Sequence, residues 1–544
     1  MSISSDTQGN AAAAQSTRGF GKSFFSSSAG ILLSRISGLL RDSLTAAYWG
    51  ATEVAQAAYK TAFAIPNSLR ELFCEGAFSS AFVPMISAHI AKDGRESAWR
   101  LANRAITLQL LALVAVTLLF SAIAGIFWAS RLFAWHELTD TTLKILPILM
   151  PFAVLICVSG ALCALLNCLK IFFLSSLIQV VFNLVQIASV IALHYSWKRN
   201  EPGALLFYCG STILAGFLQF ALLLYICRKH GYTYRFDLNL RDSEVRLFCS
   251  KLGPGVLGSG LQQINSLIDK AIGNILGSAA IGALYYSNRL VFLPIGLFGV
   301  TMSTVCLPAL SRAHAQGDAA GVVKALDYAL RNILFLALPA TALLMVCDRD
   351  IILLLFARGA FNEHAIQETH WALMFYLVGL PAFCCHKVAT NPFHARLDTA
   401  TPVRVASAML LLNVVLNFSL MWWLRQGGLT LATSICSWLG TIILLRLNRK
   451  VLPQWTPAPV LKALLGLGAA SACGAVATVF TVRLCANLPR TTLWQASRVA
   501  VASASLGAVY LIVCLLLRRP EPGELFGALL RRRRRQKTTV QHGA

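Results

Sequence analysis

Charge is what this sequence has little of. Only 13% of its 544 residues are Asp, Glu, Lys or Arg, where a soluble globular protein carries about a quarter. With 56% of the chain hydrophobic and a mean hydropathy of +0.64, a soluble domain of this length is excluded. Motifs for nucleotide or hydrolytic chemistry are absent as well: there is no GxxxxGK[ST], no HExxH and no GxSxG. Energy for any transport would then come from an ion gradient, the membrane potential or the substrate gradient. The 15 cysteines follow no repeated spacing, so no disulfide framework is implied. Cys384-Cys385-His386 comes nearest to a metal motif, but no second ligand pair stands near it, and the cysteines read as buried small hydrophobes. The first twenty residues lack the basic-then-apolar pattern of a cleavable signal peptide and are expected to form a disordered leader, residues 1–20.

What the chain does have is apolar runs. Leu108–Trp128, Ile333–Val346 with its flanks and Leu461–Val482 are examples, and about 20 such residues cross a hydrocarbon core of about 30 Å. The pattern predicts an all-α polytopic membrane protein with about fourteen helices. They are placed at 21–48, 53–90, 98–129, 141–170, 174–195, 203–229, 241–277, 281–313, 319–348, 365–396, 402–424, 427–450, 457–485 and 493–518. The net charge of +24 invites a nucleic-acid reading, but its placement opposes that. Basic residues gather in alternate loops, among them Lys92 and Arg95, Arg228 to Arg246, and Arg446 to Lys450. Both termini are therefore expected on the cytoplasmic side. The run Arg531–Arg535 of the basic tail, 519–544, would lie there on anionic lipid.

Pro84, Ser87 and Ala91 recur in register as Pro308, Ser311 and Ala315, each set closing a helix before a polar loop. Asn183 and Asn413 occupy comparable places. The repeat splits the chain into a lobe at 21–230, a second lobe at 231–452 and a terminal pair at 453–518. An even repeat of six helices preserves orientation, so the lobes would be related by an axis along the membrane normal. Transporters hold substrate between such halves and rock them about it.

The informative residues are ionisable ones inside predicted spans, because a charge near the bilayer centre costs about 2.5–3.5 kcal/mol on insertion scales. Helix one carries Arg35, Arg41 and Asp42, helix two Lys60, Arg70, Glu71 and Glu75, helix eight Arg289, and helix ten Lys387 and Arg396. Arginines here suit an anion, since a guanidinium forks onto phosphate oxygens. Residues near span ends instead snorkel to the interface, and the depth of Arg41 is ambiguous on these boundaries. A second cluster, Asp269, Asn413, Asn417 and Thr433, offers hard oxygens suited to Na⁺. The commoner use of such residues is interhelical hydrogen bonding with no ion. No other cofactor is implied. The tract Gly253–Gly260 reads as a broken or closely packed helix.

Ser34-Arg35, Gly38, Arg41-Asp42, Ile65-Pro66-Asn67, Arg70 and the block Glu75-Gly-Ala-Phe-Ser-Ser-Ala-Phe-Val-Pro84 resemble the MurJ/MviN lipid II flippases of the multidrug/oligosaccharidyl-lipid/polysaccharide exporter superfamily. The resemblance continues through Gly253-Pro254, Gln263, Tyr285-Tyr286, Arg289, Pro294, Pro308, Arg358-Gly-Ala-Phe361, Lys387 and Pro402. It implies two six-helix lobes around a cationic cavity, and a groove from the last two helices for a polyprenyl tail. It also implies export of undecaprenyl-diphosphate-linked muropeptide, lipid II, across the bacterial inner membrane for peptidoglycan synthesis, beside other cell-wall proteins. Arg35, Arg41, Arg70 and Arg289 match the family's essential arginines, with Ser34, Asp42, Glu75 and Lys387 in support. Ala58, Asn288, Phe292 and Ser175 depart from the family's usual residues, and the first three leave the cavity more basic than is typical. Export of another lipid-linked glycan, or a non-transporting role as a cell-wall scaffold, are the alternatives. A cationic-drug exporter would need carboxylates in place of the arginines.

Overall fold

The computed structural model describes residues 33–130, 136–169, 171–197, 201–239, 241–485 and 492–524. The leader 1–20 and the Arg531–Arg535 run lie outside them. The described chain is helical. Helix α1 covers 33–49. Next come α2 (Val54–Arg70), a π-helical turn (Glu71–Gly76), α3 (Ala77–Lys92), α4 (Gly94–Ser130), α5 (Glu137–Cys168), α6 (Phe172–Ser196) and α7 (Pro202–Lys229). Then α8 (Ser243–Leu276) and α9 (Ser278–Pro294) precede a second π turn (Ile295–Val300) and α10 (Thr301–Ala315). The order closes with α11 (Ala319–Leu355), α12 (Glu363–Ala389), α13 (Asn391–Ala395), α14 (Ala400–Leu424), α15 (Gln426–Val451), α16 (Ala458–Leu484) and α17 (Thr492–Leu516).

Among the described residues, eleven helices are long and apolar enough to cross a membrane. Helices α1, α2–α3 and α8, which carry Arg35, Arg41, Lys60, Arg70, Asp269 and Lys270, are not among those eleven. The expected break at Gly253–Gly260 is not there, because α8 runs continuously from Ser243 to Leu276. Gly253 has nothing within 4 Å of where a Cβ would stand, and Gly260 only Leu72 Cδ1 at 3.8 Å, so close packing does not explain these two either.

The repeat is carried by the elements themselves. The helix–π–helix stretch from Val54 to Lys92 recurs from Ser278 to Ala315, and both π turns span six residues, Glu71–Gly76 and Ile295–Val300. Helices α4 and α11 each have 37 residues, and α6 and α14 each have 25. The most apolar windows of α5 and of the α12–α13 stretch are each 67% buried, so each repeat is organised round its own enclosed helix.

By contacts, the first compact unit takes the described residues up to Ser278 together with Arg358–Phe361. The second takes Ala279–Ala357 and the described residues from Asn362 onward. Helix α8 opens the second repeat in sequence yet packs in the first unit, its Phe248 edge-on to Phe78 and Phe82 of α3. In the same unit the α7–α8 connection is pinned to α4: Arg104 pairs with Asp237 and Asp242, and Tyr232 donates to Asn103. The Arg358–Phe361 segment closes on the end of α1, where Ala360 N donates to the Ala47 carbonyl at 2.8 Å. Gly359 (φ +58°) and Gly50 (φ +81°) are required there: a Cβ would come within 2.2 Å of Ala47 O and 2.7 Å of Ala360 O.

In the second unit α12 packs against α11 and α15, and the α16–α17 pair packs along α11. Tyr510 of α17 donates to the Phe335 carbonyl, Arg498 pairs with Asp350, and Arg331 pairs with Glu524. Leu465, Val476 and Phe480 on α16 and Ile512 and Leu515 on α17 face outward, apolar and exposed.

Candidate functional site

Two polar clusters stand out in the first unit. In the first, Arg41 directs Nε and Nη2 at Asp42 Oδ1 (3.1 and 2.7 Å) and Nη1 at Asn183 Oδ1 (3.2 Å). The Asn183 amide in turn donates to the Ser34 carbonyl and to Ser37 Oγ, tying α6 to α1. The Phe182 ring lies 5.5 Å from the guanidinium. The pair is enclosed, with side chains 13% and 3% exposed. Arg41, ambiguous in depth from sequence, is the more enclosed of the arginines in α1, since Arg35 is exposed. Neighbouring hydroxyls continue the network: Thr45 donates to the Arg41 carbonyl, and Tyr59 shares a proton with Thr212, which also receives Gln186.

The second cluster is set by the π turn. Its first residue, Glu71, follows Arg70 directly. Arg70 Nη2 stands 3.6 Å from Glu71 Oε1, and Arg70 Nε donates to Asn67 Oδ1. Asn67 donates to Glu71 Oε1 at 2.9 Å, and Gln263 of α8 donates to Oε2 at 2.7 Å. Lys270, further along α8, lies within electrostatic reach of Glu71 and Asp269. Asn265 donates to Asp269 at 3.4 Å. Sequence reasoning noted Glu71 as a charge within helix two without assigning it a role, and passed over Lys270. The signal for Lys270 was an ammonium beside Asp269. Glu75 lies among side chains outside those described.

The remaining residues belong to the second unit. Arg289 on α9 is exposed, with its guanidinium 5.9 Å from the Tyr285 ring. The Lys387 carbonyl accepts Ser303 Oγ, which fixes α12 to α10. Asn417 donates to Asn413 Oδ1 (2.8 Å), Asn413 to Thr433 Oγ1 (3.3 Å), and Thr433 to the Leu429 carbonyl (2.9 Å). These three groups thus bond one another across α14 and α15, as bridged helices require. Asp269, the only carboxylate in the proposed sodium set, belongs to the first unit and has Lys270 beside it. Among the described residues no group of three or more His, Cys, Asp or Glu is placed to hold a metal ion. If Asp269, Asn413, Asn417 and Thr433 also bind sodium, adding Na⁺ should raise the thermal midpoint of the purified protein above that in equimolar choline, and Asp269→Asn should remove the rise. Equal midpoints in the two salts would leave these residues as helix bridges alone. Cys384 and Cys385 are buried.

Comparison with known proteins gives these clusters a context. Residues 45–503 match the family model described as "Lipid II flippase MurJ". The probable lipid II flippase MurJ of Vibrio cholerae is 34% identical over 433 residues, covering 77% of this chain and 81% of that protein. The lipid II flippase MurJ of Burkholderia cenocepacia is 30% identical over 436 residues, covering 78% and 83%. A solved lipid II flippase MurJ in an inward closed conformation superposes with a TM-score of 0.72 at 25% identity, over 91% of this chain and 98% of that one. An inward-facing multidrug transporter of the MATE family shares the fold alone, at 16% identity and a TM-score of 0.65 over 77% and 95%.

Proposed function

Because the chain belongs to the lipid II flippase MurJ family, we propose that it carries undecaprenyl-diphosphate-linked peptidoglycan precursor from the inner to the outer leaflet of the bacterial cytoplasmic membrane. It is a multi-pass transporter and not an enzyme. The observation that carries the reading is the arginine set inside helices of a membrane protein: Arg35, Arg41 and Arg70 in the first unit and Arg289 in the second. Guanidinium groups held in a low-dielectric setting are costly, and a diphosphate is the ligand that repays them with bidentate bonds. Transport proceeds by alternating access. An inside-negative potential favours return of the unloaded, positively charged protein to its inward-open state, worth about 2.3 kcal/mol per charge per 100 mV. The exposed apolar faces of α16 and α17 suit the polyprenyl tail. Anionic lipid meets the basic tail, and other cell-wall proteins are its neighbours.

The deciding experiment is depletion. Loss of this protein should make lipid II accumulate on the cytoplasmic leaflet. Accumulation of a different lipid-linked glycan would move the substrate assignment, and normal flipping in its absence would leave a scaffold role.

Orientation is tested separately, with both termini proposed cytoplasmic. In a chain stripped of its native cysteines, thiols placed at the exposed positions His136 and His364 should react with an impermeant reagent from outside. Thiols at Asp93 and Gln316, exposed beside the turns that end α3 and α10, should react only after permeabilisation. The opposite pattern would invert the topology. The glycines at these turns are poor choices for the purpose, since Gly50, Gly94 and Gly317 all have positive φ.

A further inference from the structure

The second unit holds a cavity of about 430 Å³ that the transport reading does not use. Lys324, Asp327 and Arg331 line it from α11, and Gln454 and Pro459 from the chain that joins α15 to α16 and opens α16. The three α11 residues are spaced by three and four, so they share one face of the helix. Trp455, buried in the connection, donates to Asp327 Oδ1 at 2.7 Å and ties that connection to α11. Asp327 Oδ2 has no hydrogen-bond partner among the described residues. Lys324 is exposed and forms no ion pair among them either, although Asp327 is one turn away. Arg331 is already engaged: Nη2 donates to Glu524 at 2.9 Å, and Nη1 stands 3.6 Å from the fully buried Glu521. The cavity is left with one open cation and one open carboxylate oxygen on a single helix face.

Helix α11 has 37 residues and is about 55 Å long, against a hydrocarbon core of about 30 Å. Its first turns, which carry Lys324 and Asp327, therefore project past the core into the headgroup layer. Helix α15 ends at Val451 and α16 begins at Ala458, so the connection lies where two spans leave the bilayer. Val451 and Leu461, on either side of it, are apolar and exposed, which gives acyl chains a surface to lie along. A ligand that satisfies Lys324 and Asp327 together needs an anionic oxygen and an ammonium joined by a short arm. A headgroup without an amine would meet Lys324 but set its phosphate against the Asp327 carboxylate. We propose that this cavity binds the phosphoethanolamine headgroup of a membrane phospholipid, with its phosphate on Lys324 and its ammonium on Asp327 Oδ2. The site uses none of the arginines proposed for the diphosphate, and it stands whichever substrate they carry.

The test is competitive binding of dioleoyl phosphatidylethanolamine and dioleoyl phosphatidylglycerol to the purified full-length protein, read by native mass spectrometry. Asp327→Asn keeps an acceptor for Trp455 but loses the charge that selects the amine. For the first lipid bound, its ratio of phosphatidylethanolamine to phosphatidylglycerol should fall about tenfold from the wild-type value, the loss of one charged hydrogen bond. Lys324→Gln should weaken phosphatidylethanolamine binding by about as much. An unchanged ratio in Asp327→Asn overturns the proposal. Free phosphoethanolamine, which has the headgroup chemistry without the chains, should displace the lipid only at far higher concentration. Displacement at equal concentration would assign the cavity to a soluble amine phosphate and overturn the lipid reading. Should Asp327→Asn fail to fold, Lys324→Gln decides at its exposed position: unchanged phosphatidylethanolamine binding there refutes the site.

Discussion

Replacing Arg35, Arg70 or Arg289 by Ala is expected to abolish complementation of a strain depleted of its lipid II flippase, with membrane abundance near that of the wild type. Each guanidinium presents a planar fork that matches two phosphate oxygens, and removing one charged hydrogen bond of about 1.5–3 kcal/mol weakens binding roughly ten- to hundredfold. On the proposed function each such contact serves the same diphosphate, so a single loss is expected to drop transport below what growth requires. Lysine keeps the charge without the fork, and Arg→Lys should retain partial activity, least where the contact is bidentate. The exposure of Arg35 and Arg289 makes the abundance control informative, because neither is packed into a core whose loss would unfold the protein. If these arginines merely snorkelled, Arg→Lys would be silent and Arg→Ala would lower insertion. Wild-type lipid II binding by all three purified Ala variants would remove the site from consideration.

Asp42→Ala should be the most destabilising of the charge removals. It strands the Arg41 guanidinium, 13% exposed, against Phe182 and Asn183 with its carboxylate gone. Breaking a buried ion pair from one side costs about 3–5 kcal/mol. A thermal midpoint in detergent several degrees below the wild type is expected. Asp42→Asn, which keeps an acceptor oxygen, should fall between the two. The double variant Arg41→Met/Asp42→Leu should regain most of the midpoint, since an apolar pair of similar volume often replaces an ion pair without penalty. It should not regain transport. Equal midpoints for Asp42→Ala and the wild type would mean that Arg41 finds water instead, and would place it at the cavity surface.

Much of the fold was legible because hydropathy reports directly on the membrane. The span expected at 98–129 became Gly94–Ser130, and that at 203–229 became Pro202–Lys229. Pro84 and Pro308 disclosed the repeat. What they could not disclose was the π turn before each α-helix, since Leu72 and Phe73 look the same in a turn of either width. The Gly253–Gly260 tract shows a related limit: closely spaced glycines do not say whether the helix breaks, and α8 runs through them unbroken. Of the site, the arginines were readable as charges out of place. Their partners were not. Asn183 drew notice only as the counterpart of Asn413, and nothing in the order of residues says that it grips Arg41 across 142 positions. The lobe boundary shows a further limit, because the repeat begins anew at α8 while the packing of α8 ends the first unit.

The π turn at Glu71–Gly76 also sets a phase. An α-helix advances about 100° per residue, so the extra residue accommodated by the wider turn determines which side of α3 faces α8. Phe78 and Phe82 meet Phe248 with ring centroids 5.4 and 6.5 Å apart, and both contacts depend on that setting. Shortening the turn by one residue would rotate α3 by about 100°, carrying both rings off Phe248. The Glu71–Gly76 turn thus acts as a fixed indexing mark from which α3 is aligned on α8.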